Sequence, residues 1–149
     1  MNRSVLLILG LVAVVAYGAM TYRSPDSSLA AGEGPIAWMT SLDKAQKLSQ
    51  SEDKPIFLYF TAEWCGPCKQ MKATTLRDDR VVAAMEGYIP VMIDVDDQPS
   101  LAAAYQVRGV PTTLVLNHAG HPVKGLVGGV SASDLVEWLD SGRIAGRRR

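Results

Sequence analysis

A long unbroken apolar stretch opens the chain, and shorter alternating patterns follow it. Met1, Asn2 and Arg3 precede 19 uncharged residues, 4–22, and Arg23 ends the run. As a helix that run would span about 28 Å at roughly 1.5 Å per residue, close to the hydrocarbon thickness of a bilayer. Tyr17 and Tyr22 stand where interfacial aromatics belong. Residues 24–34, rich in Ser, Pro, Gly and Ala, read as a tether. Beyond them, Thr40 or Ser41 is placed to cap a helix with an apolar stripe of Leu42, Ala45 and Leu48. After Lys54-Pro55, residues 56–60 form a short apolar run of aromatic and β-branched type, which predicts a central strand buried on both faces. The pattern then predicts helices over 67–76 and 79–85, a buried strand over 89–95 and a short helix over 99–105. A loop over 107–111 feeds a strand over 112–116, and Asn117 to Gly120 turn the chain into a strand over 123–127. Gly128-Gly129 break the pattern. Ser131 or Ser133 can cap a last helix whose apolar face is Leu135, Val136, Trp138 and Leu139. Strands alternating with helices and ending in a hairpin predict an α/β fold, a mixed central sheet with helices on both faces. The organisation expected is 1–23 as a membrane segment, 24–34 as a linker, 35–142 as one folded domain and 143–149 as a basic, solvated tail.

The first 23 residues address the chain to a membrane. Ala16-Tyr17-Gly18 and Ser28-Leu29-Ala30 are small-x-small sites at which a signal peptide could be cleaved. The uncharged run is longer than a usual signal core of roughly 7–15 residues, which favours a retained signal anchor. Either outcome exports the remainder. Positive charge is greater before the run than after it, where Asp26 offsets Arg23, so the N-terminus stays in the cytoplasm. With no cysteine near this segment, lipid attachment through a cysteine is excluded. The expected location is a periplasmic or other extracytoplasmic space, membrane-anchored, or released there if cleaved.

Lys+Arg and Asp+Glu number 15 each, so no general attraction to nucleic acid is expected. Two cysteines three positions apart are too few for a disulfide-stapled fold and lack the further ligands of a zinc site. His118 and His121, beside Gly120 and Pro122, read as polar members of a turn. No metal and no cofactor is expected beyond the cysteine pair.

Cys65 and Cys68 fall between a predicted buried strand and a predicted helix, and that context makes a C-x-x-C motif specific. The strand brings the chain to the sheet edge, and the helix aims its unpaired N–H groups and positive dipole end at Cys65. Such a setting lowers a thiol pKa from about 8.5 into a range of roughly 3.5–7.5 and supplies the thiolate that disulfide exchange requires. Cys65 is expected at the exposed helix mouth, as the attacking thiolate. Cys68, one turn on and more shielded, resolves the mixed disulfide. Pro67 presets a helical φ where no N–H is needed, Gly66 leaves room for a partner chain, and Trp64 forms a flat wall beside the site. A static staple is a poor alternative, because a two-residue spacer closes too small a loop to stabilise much.

Trp64-Cys65-Gly66-Pro67-Cys68-Lys69, followed by Gly109-Val110-Pro111-Thr112, resembles the thioredoxin family over residues 38–139. The resemblance implies a thioredoxin-like three-layer fold and an enzyme that exchanges disulfides with protein thiols. It implies a cis Pro111 facing the cysteine pair, with the Val110 backbone pairing with a substrate chain. Gly128 or Gly129 is similar to a glycine that lines the family's substrate groove, or is a hinge before the last helix. Trp38, the 42–48 helix and Lys54-Pro55 resemble exported reductases of the type of the DsbD C-terminal domain. That points to a reductase or electron relay supplied by a membrane electron donor and working as a monomer. The alternatives are an oxidase or isomerase of secreted-protein disulfides and a non-enzymatic peptide-binding module. One departure stands out. Tyr59 occupies the place of the family's buried acid, and Met92 that of the lysine near it, which leaves water or Glu63 to serve Cys68; Glu63 also reads as a plain exposed loop acid.

Overall fold

The structure, a computed structural model, describes residues 29–30 and 34–146. In chain order its elements are β1 (Leu29–Ala30), β2 (Trp38–Met39), α1 (Leu42–Glu52), β3 (Ile56–Thr61), α2 (Gly66–Ala73), a 3-10 turn (Thr75–Arg77), α3 (Asp79–Met85), β4 (Ile89–Asp94), α4 (Pro99–Ala104), β5 (Thr112–Leu116), β6 (Pro122–Val127) and α5 (Ala132–Gly146). Every residue of β3 is buried. Side chains alternate across a strand, so Phe57 and Tyr59 enter one apolar cluster while Ile56, Leu58 and Phe60 enter another. The first cluster is closed by Met71 of α2, Val81 and Met85 of α3, and Leu135 and Leu139 of α5. The second is closed by Leu42 and Ala45 of α1 and Ala102 of α4. Three layers result, with β3 at the centre. β4 lies parallel to β3 on one side and β5 antiparallel on the other, and the six-stranded order is β1-β2-β4-β3-β5-β6.

The expected α/β fold is therefore present, with local differences. Ser41, not Thr40, caps α1 and accepts the Lys44 N–H. Leu48 is 37% exposed, and Ser49 takes its core position. Leu42, Ala45 and Ser49 follow the helical period, whereas Leu48 falls beside it. The Ser49 hydroxyl is tolerated inside because it donates to the Lys54 carbonyl at 2.6 Å and lies 3.0 Å from His118 Nδ1. The helix expected over 67–76 divides, α2 ending at Ala73 before the 3-10 turn. β1 and β2, with two residues each, are too short to carry a periodic signal. Leu29 and Ala30, expected in the linker, pair with Met39 and Trp38. The last helix runs to Gly146, beyond its expected apolar face. Gly142 and Gly146 extend its buried stripe: a Cβ at Gly146 would lie 2.4 Å from the Pro55 Cβ, and one at Gly142 would lie 3.0 Å from the Tyr88 hydroxyl. The apolar run 4–22 and the terminal arginines lie outside the described residues; among the described residues no helix is long and apolar enough to cross a membrane.

Three phenols, those of Tyr59 and Tyr88 buried and that of Tyr105 half-buried, tie stability to alkaline pH. Burial pushes the Tyr59 hydroxyl up to about 12 and raises those of Tyr88 and Tyr105 as well. In the unfolded chain a tyrosine ionises near 10. A raised folded-state pKa means that the folded protein holds its proton more tightly, so this stabilisation is complete below pH of about 10 and is lost as pH climbs through the folded value. The urea midpoint is expected to fall steeply from pH about 10 to about 12. Tyr59→Phe should flatten that fall, and an unchanged slope would contradict the assignment.

Candidate active site

β3 delivers the chain to the end of the sheet, where Ala62 closes a turn by accepting the Cys65 N–H at 3.2 Å. Cys65 then serves as N-cap of α2 in an extended conformation (φ −82°, ψ 103°), and Pro67 falls in the first turn. Pro67 has no N–H to lose there, so the first turn forms at no hydrogen-bonding cost. The Cys65 sulfur accepts the Cys68 backbone N–H at 3.1 Å. Cys65 and Cys68 are joined as a disulfide with their Cα atoms 5.2 Å apart. A helix N-terminus aimed at sulfur favours negative charge there once the bond is reduced.

Cys65 is 3% exposed and Cys68 0%. Cys65 is the more accessible of the two, as expected, but it is not an open helix mouth in the oxidised state. The pair packs with Ala62 in a small apolar cluster against Val95 and Val110. Around it, Gly66 and Pro67 are exposed and Val110 is half-buried. Trp64 stands 68% exposed, its indole N–H donating to Asp96 Oδ2 at 2.9 Å. The wall expected beside the site is thus a projecting ring held by a carboxylate 32 residues away. The Val110–Pro111 bond is cis. Gly128, at φ +98° where other residues are strained, donates its N–H to the Pro111 carbonyl at 2.8 Å. Gly129, Pro67, Gln70 and Met71 line a shallow groove of about 360 Å³ beside α2. Gly128 stands at the bend and Gly129 on this groove.

Tyr59 is fully buried, its ring tilted against that of Trp38 with centroids 6.1 Å apart. Glu63 is an exposed acid, 82% of its side chain accessible, 3.9 Å from the Lys72 ammonium. His118 and His121 lie in and beside the β5–β6 turn, with His118 Nε2 3.2 Å from Asp53 Oδ1. Among the described residues no cluster of three or more His, Cys, Asp or Glu side chains is placed to hold a metal. Sequence reasoning missed Asp96 and Val95. Asp96 carries no local signal, being one acid in the Asp94–Asp97 stretch.

A buried strand, a C-x-x-C disulfide capping a helix and a cis-proline loop packed against it define a thioredoxin-like thiol–disulfide oxidoreductase. The family model for the thioredoxin-like domain matches residues 42–143, more than half the chain, and the chain belongs to that family. It is 43% identical over 82 residues to a thioredoxin of Staphylococcus aureus, covering 54% of this chain and 75% of that one. It is 25% identical over 132 residues to the thiol:disulfide interchange protein DsbD of Campylobacter jejuni, covering 83% of this chain. This chain spans only 23% of that DsbD's length. The oxidised C-terminal domain of Neisseria meningitidis DsbD superposes with a TM-score of 0.61 at 33% identity, over 72% of this chain and 100% of that one.

Proposed function

We propose that the protein is an exported reductase or electron relay, which keeps selected protein thiols reduced outside the cytoplasm. The observation that carries this reading is the Cys65 sulfur receiving a helix N-terminal N–H from Cys68. It favours a leaving and attacking thiolate at Cys65, and so rapid exchange rather than a permanent staple. The apolar run 4–22 supports export and membrane anchoring, and the Gly66-Pro67 spacer and the likeness to DsbD domains support the reducing direction.

In the proposed cycle the Cys65 thiolate attacks a substrate disulfide, forms one S–S bond and expels one substrate sulfur as a thiolate. Cys68 then loses its proton and attacks Cys65; the second substrate sulfur leaves and the Cys65–Cys68 disulfide forms. Two electrons pass from the protein to the substrate, and a membrane dithiol donor restores the pair. Trp64, Gly66, Pro67, Val110 and Pro111 form the face that receives the substrate chain, with the Val110 backbone as its pairing edge. The protein acts as a monomer and needs no cofactor or metal beyond the cysteine pair.

Trapping tests this in the native compartment. Cys68→Ser should accumulate covalent complexes that reductant releases, and these should include a membrane dithiol protein. A reduction potential near that of strong oxidants, about −120 mV, would reverse the direction assigned. Capture of no disulfide-linked partner would overturn the reading altogether.

A further inference from the structure

Helix α2 is flanked by a second, larger hollow. Pro67, Gln70 and Met71 line the groove described above, whereas Lys69, Lys72 and Ala73 line a solvent-open cavity of about 470 Å³. With about 3.6 residues per turn, the two sets point to opposite sides of the helix. Ile36, Trp38 and Leu76 are at most 5% exposed and Met92 is half-buried, so these four make an apolar floor. Lys69, Lys72, Arg77 and Glu63 make the rim, three cations against one acid in a chain of zero formal charge. Glu63 offsets little of that excess. Its side chain is 82% accessible and stands 3.9 Å from the Lys72 ammonium, and so exposed a pair is weak.

The cavity adjoins the reacting thiols. Glu63 stands two residues before Cys65, and Lys69 directly follows Cys68. Lys72 lies seven residues beyond Cys65, about 10 Å along α2 at roughly 1.5 Å per residue. An extended chain at about 3.3 Å per residue covers that distance, and the step across the helix, in about three to five residues. A protein whose disulfide sits at Cys65 therefore has its neighbouring residues within reach of the cavity. The floor offers burial to an apolar side chain, and the rim attracts carboxylates and repels lysine and arginine.

We propose that this cavity is a second docking site for the partner protein, taking an apolar side chain followed by acidic residues about three to five positions from the partner's reacting cysteine. The proposal rests on Cys65 as the attacking thiolate and adds a choice among partners. A seated segment raises the effective concentration of the disulfide at Cys65, so partners with acidic flanks react ahead of those with basic ones.

Peptide probes test this on the full-length protein, reduced and held in discs of zwitterionic lipid. Each probe carries one cysteine in a disulfide with an aromatic thiol that is coloured once released. Cys65 attacks the peptide sulfur, one S–S bond forms, and the aromatic thiolate leaves with the electron pair. Cys68 then closes the Cys65–Cys68 disulfide, and its proton leaves with the peptide as a thiol. The test sequence, Leu-Glu-Glu, is placed about four residues from the cysteine, on either side in separate peptides. Controls carry lysine for both glutamates, or serine for the leucine.

The acidic probe should release colour about 10-fold faster than the lysine probe at low salt. That ratio should fall toward one in about 1 M salt. Serine in place of leucine should slow release about 5-fold. In the double variant Lys72→Glu, Arg77→Glu the ratio of acidic to lysine rates should vanish or invert, a comparison made within one protein and so independent of its basal reactivity. Equal rates for the acidic and lysine probes would overturn the docking site, as would a ratio that survives the double variant. A serine probe as fast as the leucine probe would overturn it too, because charge alone would then be steering the encounter. Colour released from none of the probes would instead overturn Cys65 as the attacking thiolate.

Discussion

Cys65→Ser is expected to lower the rate of disulfide reduction by at least about 10³-fold, the order seen when an enzyme loses its nucleophile. The residue supplies the atom that forms the bond, and its neighbours cannot substitute for it. Cys68 is 0% exposed and covered by the cluster with Ala62, Val95 and Val110, so a substrate disulfide has no line of approach to it. A serine at the N-cap still accepts the Cys68 N–H, and serine is a favoured capping residue. The variant should therefore remain folded, with thermal stability close to that of the reduced wild-type protein, while turnover disappears. Insulin reduction in the presence of dithiothreitol, read beside a melting curve, separates the two. Activity retained within an order of magnitude would mean that exchange runs through another group.

Phe57→Ala should be the most damaging single change to the fold, costing about 3–5 kcal/mol. Phe57 is fully buried as the second residue of β3. Its ring lies 5.9 Å from Trp38, 6.2 Å from Tyr88 and 6.4 Å from Trp138, the last two edge-on. It therefore joins β2, the residue leading into β4 and α5 through one side chain, and truncation leaves a cavity that three large rings cannot close without moving. Domains of this size carry about 5–15 kcal/mol in all, so the variant would lose a large share of its stability. The urea midpoint should drop accordingly with little change in m. Phe57→Leu, which keeps most of the volume, should cost distinctly less, and equal losses would argue against a cavity mechanism.

How far these features could be read in advance depended on whether they are local. Residues 56–60 announced a strand with two buried faces, because an apolar run without alternation fits only a central strand or a buried helix, and its shortness chose between them. The C-x-x-C spacing and Pro67 announced a helix start with sulfur at its cap. Leu48 and Ser49 show where the pattern misleads: both lie near the stripe, and the decision fell to the hydrogen bond that Ser49 makes with Lys54. β1 and β2 left no trace, since two residues have no period. Asp96 was illegible because nothing near it in the chain distinguishes it from Asp94 and Asp97.

By itself the amino-acid order determined the alternation of strands and helices, the both-sided burial of β3 and the presentation of two thiols at a helix N-terminus. Each is set within a few residues by backbone geometry and side-chain periodicity. Only the tertiary structure decided that Val110 packs against the disulfide, that Asp96 holds the Trp64 ring, and that Thr113 stands beside Tyr59 under the catalytic helix. Those contacts depend on strand order and register, which place residues 32 to 54 positions apart side by side and which no local pattern encodes.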